Sequence, residues 1–270
     1  MKKLVSFAVT VTKGVLDDEI LPRANGLTYL LMLSFFPFVL FLLSVVGFLN
    51  LDSNFLIDNA RKFFPTEIMG VIDVFIKEVV EVRHFGVLSM SLIFSIFSAS
   101  AGFEAVIRAI NKVYGVKESR SFIHIKVLSI SLMFFLTVTI SLVLAVYGLG
   151  STFAGFSSSV FVDFLFSTGG KLLGLLLLFY VLLVIYRFAG SKRLGFREVF
   201  LGSVFTFCLW ICASVLIGIY ISRFARFSVV YGSIAGIVIM MFWLNIMAVI
   251  LLVGAKINAV IVGNRNFAVL

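Results

Sequence analysis

Glu104, Arg108 and Asn111 recur at i, i+4 and i+7, so on a helix they share one face and the first two can pair. One reading is a polar vestibule where a substrate headgroup meets a helix end. The other is a solvated ion pair that closes the helix. Enzymatic constellations are missing around them. His84 and His124 are the only histidines and stand in no HxH or HExxH context, and there is no Gly-rich phosphate loop and no GxSxG elbow. Cys208 and Cys212 are four apart in an apolar run, a poor geometry for a disulfide, and they lack further ligands that would make a metal pair. The chain is therefore expected to be no enzyme, to hold no metal and to need no cofactor.

The elements that must position these groups are membrane helices. Of 270 residues, 61% are hydrophobic and 13% charged, against about 45–50% and a quarter in soluble domains. About 20 apolar residues cross a bilayer core, and uncharged runs predict an all-α bundle of six transmembrane helices. They span approximately residues 26–50, 85–107, 127–149, 168–188, 199–222 and 229–255. The third is expected to end near Leu149, because Gly148 to Ser159 is rich in Gly and Ser. The fourth needs Lys171 to snorkel. The net charge of +9 reflects basic loops and calls for no nucleic-acid partner. About two-thirds of the 22 lysines and arginines fall on one side of six alternating spans, which predicts that both termini are cytoplasmic.

The residues from Met1 to Glu19 carry no small-residue cleavage site after the short apolar run and read as an amphipathic helix on the cytoplasmic surface. Asp52 to His84 reads as a helical outer segment. There Asp73, Lys77 and Glu81 recur every four residues opposite Ile72, Phe75, Ile76 and Val79, an amphipathic helix that lies on the membrane, caps the bundle or docks a partner.

Small residues mark close helix packing: Ser91, Ser95, Ser98 and Gly102 on the second span, and Gly232 with Gly236 as a GxxxG on the sixth. The serines could also line a substrate path. Pro37 removes a backbone hydrogen bond near Ser34 and predicts a kink in the first span. Polar groups deep in lipid are costly, which makes them functional suspects. Asn245, mid-way along the sixth span, and Lys256 at its cytoplasmic end join the candidate substrate-contacting residues. Asn258 stands beside Lys256, while Asn25 and Thr28 open the first span. A hydrogen bond to a neighbouring helix is the plainer reading of Asn245.

Three blocks carry a family resemblance: Gly26-Leu27-Thr28-Tyr29 through Ser34-Phe35-Phe36-Pro37; Ala109-Ile110-Asn111-Lys112-Val113-Tyr114 with Arg120; and Tyr231-Gly232-Ser233 through Trp243 to Gly254-Ala255. Together they resemble the YihY/BrkB family of bacterial inner-membrane proteins over nearly the whole chain. The resemblance implies six spans, an inner-membrane location and an envelope role. It also brings the old label ribonuclease BN, for which this chain has no cluster of His and Asp. One position departs from the pattern: Lys256 follows Gly254-Ala255 where the family has Glu. The function expected is transport or flipping of a lipid or other amphipathic envelope molecule. The alternative is a non-catalytic scaffold that docks an envelope protein through the outer segment. Membrane lipids are the expected partners, and the oligomeric state stays open.

Overall fold

The protein's structure is a computed structural model that describes residues 2–47, 85–156, 160–191, 194–223 and 234–267. The expected outer segment and Gly232 lie outside the described residues, as does the Ser91 side chain. Seven helices make up the described chain: α1 (Lys2–Asp17), α2 (Ile20–Gly47), α3 (Phe85–Val113), α4 (Phe122–Phe156), α5 (Val160–Ala189), α6 (Phe196–Arg223) and α7 (Ile234–Phe267). The last six are each long and apolar enough to cross a membrane, as the hydropathy pattern predicts.

Several helix boundaries differ from the sequence expectation, three of them for a clear physical reason. α4 does not stop near Leu149 but runs through the Gly/Ser-rich stretch to Phe156, because in lipid no water competes for its backbone groups and the helix is their cheapest partner. α2 begins at Ile20, where Ile20, Ala24 and Leu27 turn a buried face to the bundle. α7 continues past Ala255 to Phe267, since Ile257, Asn258 and Val260 are still buried. The fourth span is complete within the 30-residue α5.

The bundle is built around α3, which packs against α2, α4, α5 and α7, while α2–α7 and α6–α7 contacts close the circle. Its interior mixes aliphatic side chains with small hydroxylated ones, Ile107, Ile110, Leu182 and Leu252 being fully buried. Ser100, Ser129, Ser203, Thr206 and Asn258 are fully buried, whereas Phe94 and Leu176 stand 71% and 65% exposed on the outside. Lipid solvates such an exterior, and small inner residues let helices approach. Gly102 does this between α3 and α2: a methyl group there would collide with the Ser34 hydroxyl. Ser95 and Gly236 are also buried, and Ser98 is half-buried. α2 passes through Pro37 as one continuous helix, and the Ser34 hydroxyl donates to the Leu31 carbonyl at 3.1 Å. α1 turns into α2 at Asp18-Glu19, where Glu19 takes a positive φ of 51° and Arg23 Nε donates to the Asp18 carbonyl.

Candidate functional site

Define the near end of the bundle as the one where α2, α4 and α6 begin and α3, α5 and α7 finish. The polar candidates gather there in separate clusters. Arg108 holds Glu104 through Nη2 at 2.8 Å and Nε at 3.0 Å, with the Arg108 side chain 48% exposed.

Asn111 turns elsewhere, although it lies on the same helix. It is 2% exposed; its Nδ2 donates to Glu118 Oε2 at 2.6 Å and to the Ala189 carbonyl at 3.1 Å, and its Oδ1 accepts from the Ser191 backbone N–H at 2.8 Å. Both amide donors are thereby committed. Glu118 in turn accepts from Arg120 Nη2 at 2.7 Å, Arg120 Nε at 2.8 Å and the Ser191 hydroxyl at 2.7 Å. Arg120 then donates to the Phe188 and Ala189 carbonyls at 3.2 and 2.7 Å. Those carbonyls end α5 and have no partner inside their own helix, so a cation is favoured at that terminus. Asn111, Glu118, Arg120 and Ser191 thus form a clasp between the α3–α4 loop and the end of α5.

The two clusters differ in what a truncation should do. Arg108→Ala is expected to cost on the order of 1 kcal/mol or less, as exposed pairs do, while Asn111→Ala strands buried partners and should cost about 1–3 kcal/mol. Unfolding of both variants in detergent checks this; the reverse order would erase the distinction.

The two candidates on α7 sit apart again. Asn245 Nδ2 donates to Asn25 Oδ1 at 2.8 Å and to Thr28 Oγ1 at 3.2 Å, joining α7 to α2 by the interhelical bond that was the plainer expectation. Lys256 Nζ pairs with Asp18 Oδ2 at 2.7 Å and its stem crosses Gly14 of α1, where a methyl group would strike it. Lys256 therefore ties the first helix to the last.

A groove that sequence reasoning missed lies between α3 and α4. It holds about 680 Å³, opens to the lipid side and is lined by Ile93, Phe94, Phe97, Ser98, Ala101 and Lys126. Lys126 Nζ donates to the Phe97 carbonyl at 3.1 Å and lies 4.4 Å from the centre of the Phe97 ring. Phe97, Ala101, Glu104 and Arg108 are spaced by four, three and four residues, so the groove face of α3 continues by register to the exposed ion pair. The clasp was equally hidden. Glu118 and Arg120 stand two apart in a polar loop, and their distant partners are backbone carbonyls, which no residue type announces. Among the described residues, no three His, Cys, Asp or Glu come together in a group that could hold a metal ion. His124 is exposed beside the Ser121 hydroxyl at 2.7 Å, and both cysteines are exposed on α6.

Six apolar helices packed around a core of aliphatic, small and hydroxylated residues define a polytopic helical membrane protein. The chain belongs to the virulence factor BrkB family, whose model matches residues 11–268. It is 34% identical over 248 residues to the ribonuclease-like protein YfkH of Bacillus subtilis (strain 168), across 88% of this chain and 89% of the relative. It is 25% identical over 270 residues to the UPF0761 membrane protein VSAL_I2938 of Aliivibrio salmonicida (strain LFI1238), across 94% and 82%. A UPF0761 membrane protein of Prosthecochloris aestuarii is 24% identical over 275 residues, across 95% and 61%. No solved structure matches.

Proposed function

We propose that this protein binds an amphipathic envelope molecule from the bilayer and moves it along the α3 face, as a non-enzymatic protein of the bacterial inner membrane. The observation that carries the reading is the groove. Its wall is apolar and faces lipid, one cation stands in it, and the same helix face leads to the Glu104–Arg108 pair. An amphiphile has matching parts: chains that stay in hydrocarbon and a headgroup that needs polar contacts along its way. The distribution of Lys and Arg supports cytoplasmic termini, and a reporter fused after Leu270 should be active there.

The reading predicts flux in purified proteoliposomes. Translocation of a headgroup-labelled phospholipid should exceed that of empty vesicles several-fold and fall when Ala101→Phe fills the groove. Equal rates with and without protein would defeat the reading and leave a scaffold. The same preparation should not degrade RNA above background, with or without divalent metal, since among the described residues no three His, Cys, Asp or Glu come together to hold a metal ion. RNA cleavage that persists through purification and is lost in His124→Ala would overturn the non-enzymatic half of the proposal.

A further inference from the structure

The groove carries a more specific chemistry, which rests on the reading above. Among the described residues, Lys126 is its only charged lining residue. It lies four residues into α4 from Phe122, about 6 Å along the axis at 1.5 Å per residue. Its ammonium reaches Phe97, 16 residues before the near end of α3 at Val113. A cation inside a span needs compensation, and what the protein provides is partial: one carbonyl and one aromatic face. No carboxylate among the described residues pairs with it. The nearest acidic group by register on the groove face, Glu104, is already occupied by Arg108. An ammonium has three donors, so donors remain for a ligand at the groove.

We infer that the groove is a binding site for an anionic phospholipid, with the lipid phosphate paired to Lys126 and an acyl chain against Ile93, Phe94 and Phe97. The volume of about 680 Å³ lies within the roughly 300–1,000 Å³ of small-ligand sites. The sign of the headgroup follows from what the groove lacks. A zwitterionic lipid brings a cation of its own, which would need a carboxylate, and none lines the groove. An anionic lipid leaves no such charge over and neutralises the lysine.

Native mass spectrometry of the whole protein, titrated with phosphatidylglycerol or phosphatidylcholine of matched chains, tests this. Wild type should retain one phosphatidylglycerol in preference to phosphatidylcholine by about fivefold, the factor one basic residue contributes toward anionic lipid. Lys126→Gln should bring the two lipids level, Lys126→Arg should keep the preference, and Ala101→Phe should weaken both. Each variant must elute as a monodisperse peak with wild-type unfolding temperature. Equal retention of both lipids by wild type, lowered by Ala101→Phe, would overturn the anionic assignment and leave the amphiphile reading standing. Retention of neither lipid would remove both. A preference unchanged in Lys126→Gln would overturn the role of the lysine.

Discussion

Replacing Glu118 with alanine is expected to remove about 2–4 kcal/mol of stability, the largest loss of any single polar truncation at the near end of the bundle. The carboxylate is the hub of the clasp: Asn111, Arg120 and Ser191 all donate to it. The Arg120 and Glu118 side chains are 21% and 17% exposed, so removal of one partner leaves a mostly buried guanidinium and a buried amide without their acceptor. Glu104→Ala is the matched comparison, since it breaks a pair whose arginine is already in solvent. Acid provides an independent check. Arg120 holds the Glu118 carboxyl down at about 2, against the opposing effect of burial and with help from the Ser191 hydroxyl. Because the folded value lies below the ordinary 4.5, the contribution is complete above about pH 4.5 and disappears as the pH falls towards 2. The stability gap between wild type and Glu118→Gln should hold constant from neutral pH to about 4.5 and close below it. A gap that closes between pH 7 and 5 would contradict the clasp.

An equally large effect is expected at the α6–α7 contact. There Gly202 meets the Gly254 carbonyl and the Asn258 side chain, while Gly254 meets Thr206, the Tyr186 hydroxyl and the Gly202 carbonyl. A methyl group on Gly202 collides with the Gly254 carbonyl, which cannot rotate away, and one on Gly254 collides with the Thr206 and Tyr186 hydroxyls; either displaces hydrogen bonds that need this proximity. The Gly202 N–H donates to Asn258 Oδ1 at 2.9 Å, and the Tyr186 hydroxyl donates to the Leu251 carbonyl at 2.7 Å beside the Thr206 hydroxyl at 2.6 Å. Gly254→Ala should cost about 1–3 kcal/mol and Gly254→Leu more, as overpacking does. Gly218→Ala, where nothing lies within 4 Å, should change stability by less than about 1 kcal/mol. Unfolding in detergent and yield of inserted protein measure both. Tolerance of Gly254→Leu would mean that these helices do not pack at this distance.

The six spans were legible because apolar length is a bulk property that survives any detail of packing. The helix ends were less so. Gly148 to Phe156 looked like loop by the composition rules of water, and α4 keeps it helical where backbone groups find no other partner. The spacing of Glu104, Arg108 and Asn111 announced a common face, yet Asn111 engages Ala189, 78 residues away. A register of i, i+4, i+7 reports neighbours on one helix and carries nothing about the next. Lys126 was hidden for the opposite reason. At a span boundary it reads as an ordinary snorkelling lysine, and only the packing of α3 against α4 shows that it stands in a groove. Gly254 was visible as part of a motif, while its need for Tyr186 and Thr206 was not.

The link between Lys256 and Asp18 spans 238 residues, and its consequence concerns how the protein is made. α1 and α2 are synthesised before α7, which carries the partners of Asp18, Asn25 and Thr28. Throughout synthesis the early helices keep polar atoms whose native partners do not yet exist. A chain cut short before Asn245 can never make these interhelical contacts. Closure of the bundle therefore waits for α7.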